Sequence, residues 1–281
     1  VMVGGGYIAA EFSHIAARAG AQVTVVQRGD HMLSKFDPDL VGLLMLKSRQ
    51  IGIDVRTGNT VTAIEQSEQH GYRVRMRGAE GESIVVADLV VHAAGRMPDI
   101  ADLNLPAAGI AVEHGKLKLN EFLQSVSNPL VYAAGDAASK GPPLTPVSSH
   151  DAKVVATNML EGNHRRPDYR GVPSVAFTLP PIAAVGLSEI AARQSCPGLR
   201  VNLANVSDWY TARRVGESVY AYKTLIDGDG GRILGAHLVG PHADEVINLF
   251  GLAIRHGLTA DDLKSTMFAY PTGASDIGYM L

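Results

Sequence analysis

The chain has 281 residues, 46% of them hydrophobic and 19% charged, and its formal net charge is −3 at pH 7. This composition is typical of a globular chain with a substantial core and room for more than one domain. The small net charge gives no electrostatic reason to expect nucleic acid or an anionic membrane as a partner. No apolar run approaches the ~20 residues of a membrane-spanning helix, and the N-terminus does not resemble a signal peptide.

Cysteine and histidine usage argues against a metal centre. Cys196 is the only cysteine, so the chain can form no internal disulfide and no cysteine-rich metal site. The ten histidines are scattered, with no pair at a metal-ligand spacing on one predicted helix face. We therefore predict no metal site, an inert thiol at Cys196, and structural roles for His237 and His256. A reducing cytoplasm fits this cysteine usage.

The first predicted element is a short strand that ends in a glycine turn, followed by a helix over residues 7–19. Gly4 would make the tight turn, Gly6 would let a pyrophosphate approach the backbone, and Ala9 would let the helix pack closely on the sheet. The free N–H groups of the helix's first turn would face the phosphates. Residues 22–27 predict the next buried parallel strand and complete a βαβ unit. An ordinary strand-to-helix turn is the alternative interpretation.

The rest of the first 97 residues predicts one helix, two more buried strands and an antiparallel meander. In chain order, the helix is expected at 38–50, a strand at 53–55, the meander at 60–65, 72–76 and 83–87, and the last strand at 88–95. Pro98 stops that strand. We therefore predict that a first domain closes at residue 97.

The next segment, residues 98–168, is rich in loops, with short elements near 103–105 and 116–119. A strand at 130–136 ends in Asp136, which is well placed to accept hydrogen bonds from ribose or ribityl hydroxyls. An aspartate that caps a helix is an equally good interpretation of the spacing. A helix is expected at 144–160, with Pro146 in its first turn.

From residue 169 onward, short strands followed by helices predict an α+β layer. The strands are expected at 174–177, 182–185, 200–206, 220–226 and 232–239, with a hairpin turn at 227–231 and helices at 243–256 and 259–267.

Taken in order, these motifs resemble the pyridine nucleotide-disulfide oxidoreductases, the flavoenzyme family of glutathione reductase, lipoamide dehydrogenase and mercuric reductase. The motifs, with their order and spacing, are Gly4-Gly-Gly-Tyr-Ile-Ala9 with Glu11, Ala94-Gly-Arg96, Tyr132-Ala-Ala-Gly-Asp136, Leu144-Thr-Pro146, Phe177-Thr-Leu-Pro-Pro-Ile-Ala-Ala-Val-Gly186 and Ile233-Leu-Gly-Ala-His-Leu-Val-Gly240. The resemblance implies an α/β fold in three parts. These are a Rossmann-like NAD(P)-binding domain (1–97), the returning part of an FAD domain (98–168) and a C-terminal α+β dimerisation domain (169–281).

The resemblance also assigns residues to the two cofactors. Those expected at the NAD(P)H pyrophosphate and beside the dinucleotide are Gly4, Gly6, Ile8, Ala9 and Gly95. Those expected near the nicotinamide and the flavin are Tyr7, Glu11 and Thr145, with Asp136 at the ribityl–pyrophosphate region of FAD. Tyr7 and Glu11 could instead be a packing residue and a favourable acid in the first turns of a helix.

The choice of nucleotide is set at the end of the second strand, where an acidic residue would accept hydrogen bonds from the ribose of NAD. Gln27 and Arg28 stand there instead. The neutral amide of Gln27 does not repel a 2′-phosphate, and Arg28 can pair with that phosphate in a bidentate manner. We therefore predict NADPH over NADH, with NAD still possible. Ser34, with Lys35 beside it, stands where the family often has a second basic residue.

Two departures from the family pattern limit what this chain can do. The chain begins at Val1 with an apolar run of three residues, and we interpret it as a fragment. The family's FAD-adenosine fingerprint and redox-active cysteine pair would precede Val1, so we expect the fragment alone to bind FAD poorly and to be inactive. The family's His-Pro-Thr motif with a later glutamate reads here as Tyr270-Pro-Thr with Ser275.

Tyr270 is the candidate catalytic residue. A phenol, which ordinarily titrates near pH ~10, can donate a hydrogen bond at neutral pH but is a poor base, unlike imidazole. We therefore expect no efficient glutathione- or lipoamide-type turnover. Tyr270 could orient a different acceptor, or it could pack against the partner subunit near the flavin.

We predict an FAD-dependent NAD(P)H oxidoreductase that transfers hydride from NADPH to flavin and electrons onward to an unknown small-molecule acceptor. The resemblance implies a homodimer through the C-terminal domain. A non-catalytic nucleotide-binding or dimerisation protein without flavin is the alternative. A second glycine fingerprint and a cysteine-rich helix encoded before Val1 would favour the enzyme, whereas a start codon at Val1 would favour the alternative.

Overall fold

The structure, a computed structural model, describes residues 1–67 and 71–281. Its α-helices are α1 (Tyr7–Arg18), α2 (Pro38–Gln50), α3 (Thr145–Glu161), α4 (Glu189–Ser195), α5 (Tyr210–Val215), α6 (Ala243–His256) and α7 (Ala260–Ser265). Its strands are β1 (Met2–Val3), β2 (Val23–Val26), β3 (Ile53–Arg56), β4 (Thr60–Gln66), β5 (Tyr72–Gly78), β6 (Gly81–Ala87), β7 (Val91–His92), β8 (Val112–Glu113), β9 (Lys116–Leu117), β10 (Ser174–Ala176), β11 (Ile182–Gly186), β12 (Arg200–Asn205), β13 (Ala221–Ile226) and β14 (Ile233–Val239). Among the described residues, no helix has both the length and the apolarity needed to cross a bilayer.

Two compact units divide the chain. One is formed by Val1–Gly95 together with Pro173–Leu281, and the other by Arg96–Val172. The predicted α/β class is confirmed, since parallel strands joined by helices are followed by an antiparallel sheet covered by helices. The division into three domains at residues 97 and 168 stays a prediction.

The first unit opens with the predicted βαβ arrangement. Its parallel sheet has the order β3-β2-β1-β7, and β1 pairs with β2 on one side and β7 on the other. Ala9 and Ala10 of α1 are fully buried in the same core as Val25 and Leu40. Small residues on α1 therefore let the helix lie close to the sheet, as the sequence predicted. Strands β4, β5 and β6 form the expected antiparallel meander.

The same unit contains the antiparallel sheet β10-β11-β14-β13-β12. Helix α6 buries Ile247 and Phe250 completely in the core over this sheet. The sequence missed α4 and α5, which have seven and six residues. Such short helices carry almost no periodic pattern, and their stability comes from caps and packing.

The predicted strand at 130–136 is wrong. In the second unit this segment makes an isolated bridge between Tyr132 and Gln124, and a 3₁₀ turn then runs over Gly135–Ala137. A strand needs a continuous neighbouring ladder, and in the described part of the chain this segment has only that bridge. The apolar run was therefore mistaken for the signal of a buried strand.

Candidate functional site

The glycine turn follows β1, where Gly4 has a φ of 109°. A Cβ at Gly4 would collide with the carbonyl oxygen of Ala93, which follows β7. The N–H of Gly4 donates to the carbonyl oxygen of Val26 at 2.8 Å. Gly4 therefore needs to be glycine for its backbone conformation and for the close approach of two strand ends.

Helix α1 begins immediately after this turn and offers its N-terminus without a side-chain cap. Its N-cap residue is Gly6, and its first turn carries no acidic residue. A Cβ at Gly6 would have no heavy atom within 4 Å, so the turn is open on this side. The unpaired N–H groups and the positive end of the helix dipole together make an anion-binding position.

Gln27 and Arg28 follow β2 at the same edge of the sheet. The side chain of Gln27 lies against Gly5, where an added Cβ would stand 3.0 Å from it, and its amide nitrogen donates to the His31 carbonyl oxygen at 3.3 Å. Arg28 is exposed and has no hydrogen-bond or ion-pair partner among residues 1–67 and 71–281. Its guanidinium is thus available to an anionic ligand.

These groups line a cleft of about 360 Å³. We call it the glycine-turn cleft; it is lined by residues 3–6, 26–28, 59–61 and 93–95 together with Ser34. Its walls follow the carboxyl ends of all four parallel strands, where ligands of open α/β sheets bind. Its volume lies in the ~300–1,000 Å³ range of small-molecule sites.

The cleft gathers Gly4, Gly6, Gln27, Arg28 and Gly95 from the residues predicted by sequence. The sequence did not single out residues 59–61, which come after β3. The rule that places ligands at the carboxyl ends of neighbouring strands could have found them.

Tyr7, Ile8 and Glu11 lie on α1 and are not among the residues that line the cleft. The ring of Tyr7 packs edge-on against Phe36, with centroids 5.3 Å apart. Burial raises the pKa of Tyr7, a hydrogen bond with Ser174 opposes this effect, and the charge of Glu11 adds to it. Ile8 is 40% exposed. The expected positions of Tyr7 and Glu11 near the nicotinamide and flavin, and of Ile8 at the dinucleotide, stay predictions.

Glu11 and His14 attach α1 to the segment after β10. Glu11 accepts a hydrogen bond from the Phe177 N–H at 2.9 Å, and His14 Nδ1 accepts one from the Leu179 N–H at 3.2 Å. His14 is 1% exposed, and its Nε2 lies 3.0 Å from the hydroxyl of Ser48. Burial lowers the pKa of His14 to about 4. The imidazole is therefore neutral at pH 7.

In the second unit, Asp136 and Thr145 are both exposed. Gly135 adopts a φ of 64° and donates its N–H to buried Asp151 at 3.0 Å. Asp151 also accepts from the Tyr169 hydroxyl at 2.9 Å, and burial together with this carboxylate raises the pKa of Tyr169. Asp151, which the sequence did not single out, thus fixes the turn that presents Asp136.

Tyr270 is 83% exposed and lies in a second cleft of about 370 Å³. We call it the Tyr270 cleft; it is lined by Lys264, Thr266, Phe268, Tyr270, Ser275, Gly278 and Tyr279. The hydroxyl of Ser275 donates to the Thr272 carbonyl oxygen at 2.6 Å, inside a cap that begins a 3₁₀ helix. Ser275 therefore hydrogen-bonds the backbone of its own cap.

Comparison with known proteins identifies the class. Residues 1–152 match the family described as pyridine nucleotide-disulphide oxidoreductase, and residues 172–280 match the dimerisation domain of that family. Since the first match covers more than half of the chain, the chain belongs to the pyridine nucleotide-disulphide oxidoreductase family. The predicted family is thereby confirmed.

Individual relatives refine this assignment. The chain is 50% identical over 180 residues to an uncharacterized 19.7 kDa protein in a mercuric resistance operon of Staphylococcus aureus, a match covering 64% of this chain and 100% of that protein. A mercuric reductase of Staphylococcus aureus is 32% identical over 278 residues, which is 98% of this chain and 50% of the reductase. The HOCl-induced flavoprotein disulfide reductase RclA from Escherichia coli matches with a TM-score of 0.87 at 26% identity, over 99% of this chain and 63% of that one. The chain thus spans about half the length of that mercuric reductase.

Proposed function

We propose that this chain supplies the nucleotide-binding and dimerisation parts of an FAD-dependent NAD(P)H oxidoreductase, and that its glycine-turn cleft binds NADPH. The observation that carries this is the meeting of three phosphate-binding features in one cleft. These are the bare backbone of the turn, the uncapped start of α1 and the exposed guanidinium of Arg28. Each of them favours an anion, and together they suit a ligand with several phosphates.

These features would bind two different parts of the ligand. The N–H groups at the start of α1 would hold the pyrophosphate, since a helix N-terminus favours negative charge. Arg28, one residue beyond Gln27, would pair with the 2′-phosphate, because its planar guanidinium can donate two parallel hydrogen bonds. Gln27 carries no charge that would repel this phosphate.

When bound, the nicotinamide supplies the hydride and the flavin accepts it. The contribution of this chain is to bind and orient the nucleotide through the glycine-turn cleft. Asp136 offers carboxylate oxygens without a partner among the described residues, and these suit the hydroxyls of a ribityl chain. The final acceptor is a small molecule, and the match to the dimerisation domain supports a homodimer.

The nucleotide choice is tested by calorimetric titration of NADPH and NADH into the wild-type chain and the Arg28→Ala variant. We expect the variant to bind NADPH about 10- to 100-fold more weakly, as the loss of hydrogen bonds between charged groups predicts. Its affinity for NADH should stay unchanged. Lys35→Ala is the matched control, because Lys35 is exposed in the same loop but does not line the cleft. Equal losses for both nucleotides would refute the assignment.

A further inference from the structure

An ion cluster around the buried side chain of Lys223 lies at the start of α2. The ammonium of Lys223, on β13, contacts the carboxylates of Asp37, Asp39 and Glu189 at 2.8, 2.6 and 2.7 Å. The side chains of Lys223 and Asp37 are each only 2% exposed. These three carboxylates lie close enough together to hold a cation, and the ammonium of Lys223 is that cation.

Burying the charges of Lys223 and Asp37 is costly, so this pair needs a reason. Burial by itself lowers the pKa of Lys223, but hydrogen bonds to Asp37, Asp39 and Glu189 outweigh this and raise the pKa overall. The lysine therefore stays charged. Because desolvation offsets much of the attraction, buried ion pairs contribute little net stability, and their best-attested use is to fix one arrangement of the chain.

The arrangement fixed here is the start of α2. One carboxylate oxygen of Asp37 accepts from the backbone N–H of Asp39 at 3.1 Å and caps the helix, while the other pairs with Lys223. Asp37 thus joins the helix N-terminus to a strand of the antiparallel sheet. It also ends the loop that begins at Arg28; we call residues 28–36 the recognition loop.

The start of the recognition loop is held separately, because the Gly58 N–H donates to the Gly29 carbonyl oxygen at 2.8 Å. The end of the loop has a second attachment besides Asp37, to the glycine turn itself. Leu33 donates its N–H to the Gly5 carbonyl oxygen at 2.7 Å, in a left-handed conformation with a φ of 49°. Leu33 and Phe36 are 2% and 4% exposed. Between these two attachments lies Ser34, which faces the glycine-turn cleft together with Arg28.

We propose that Lys223 is a positioning residue for the choice of nucleotide. Through Asp37 it holds the end of the recognition loop so that Ser34, which lines the cleft together with Arg28, is already placed for a 2′-phosphate before the nucleotide arrives. A residue of the C-terminal sheet that does not itself line the cleft thereby contributes to the discrimination between NADPH and NADH. This inference rests on the proposed nucleotide choice.

The test uses calorimetry with 2′,5′-ADP and 5′-AMP, which differ only in the 2′-phosphate. Asp37→Ser keeps a helix-capping oxygen but cannot reach Lys223. It should reduce the preference for 2′,5′-ADP roughly three- to tenfold, the cost of ordering one or two side chains on binding. Glu189→Gln is the matched control, because it removes another partner of the same ammonium without touching the recognition loop. Its preference should stay within about twofold of the wild type.

Lys223→Met supplies a second variant and should reproduce the effect of Asp37→Ser on the preference. Its binding is measured only if a cooperative thermal melt shows that it is folded. Hydrogen exchange supplies an independent readout, since the Leu33 amide should exchange faster in Asp37→Ser than in Glu189→Gln.

A wild-type chain that binds both probes equally would overturn the nucleotide choice, and the role of Lys223 with it. A wild-type preference that survives Asp37→Ser unchanged would overturn the role of Lys223 alone.

Discussion

The two clefts of the first unit have nearly the same volume, about 360 and 370 Å³, but they are built differently. The glycine-turn cleft is lined by residues at four strand ends, among them Gly4 in a backbone conformation that favours glycine. The Tyr270 cleft is lined by residues of one C-terminal stretch, among them Phe268 and Tyr279. The first cleft therefore depends on an obligatory backbone conformation. The exposed ring of Tyr270 in the second cleft can be replaced more readily, because such a change does not move the chain.

The largest effect on the free energy of unfolding should come from a substitution at Gly4, whose backbone conformation is obligatory. Gly4→Ala forces a methyl group into the Ala93 carbonyl oxygen at a φ of 109°, and we expect it to lower the free energy of unfolding by about 3 kcal/mol. Urea denaturation measures this value. Gly6→Ala is the matched control, because its φ of −81° suits alanine and its Cβ meets no atom. It should change stability by less than about 0.5 kcal/mol, and equal losses would contradict the comparison.

The free energy of unfolding should depend on pH through His14, which attaches α1 to the segment after β10. Its pKa falls from 6.5 when unfolded to about 4 when folded, so the folded state favours the neutral imidazole. The contribution of this group to the free energy of unfolding is complete above pH 6.5 and is lost as the pH falls toward 4. Between pH 7.5 and 5 we expect a loss of about 2 kcal/mol that His14→Gln does not show.

Urea denaturation of both chains at the two pH values isolates this contribution. The acidic residues titrate in both proteins and cancel in the difference. Identical pH profiles for the wild type and His14→Gln would show that the imidazole is not held neutral between Leu179 and Ser48.

The smallest effect on the free energy of unfolding should come from a substitution in the Tyr270 cleft. Tyr270 is 83% exposed, and its hydroxyl has no hydrogen-bond partner in the described part of the chain. Tyr270→Phe should therefore change the free energy of unfolding by less than about 0.5 kcal/mol. Tyr220→Phe is the control, since its buried hydroxyl donates to Asp276 at 2.9 Å. It should cost about 2 kcal/mol, and a comparable cost at Tyr270 would show that its hydroxyl does have a partner.

The features that the sequence predicted well are those that local chemistry dictates. The glycine turn, the start of α2 at Pro38 and the meander all depend on residues close together in the chain. The ion cluster could not be predicted, because Lys223 and its partner Asp39 are 184 residues apart. The strand expected at 130–136 failed for a related reason, since its pairing depended on neighbours that an apolar run does not reveal.

The central claim is that the glycine-turn cleft binds the nucleotide. Amide chemical shifts of the labelled chain during titration with NADPH test it most directly, because the residues of each cleft give separate signals. We expect the largest changes at the amides of residues 6–9, at Arg28 and at residues 59–61, with none around Tyr270. Changes confined to the Tyr270 cleft, or no changes at the start of α1, would contradict the assignment of the glycine-turn cleft to the nucleotide.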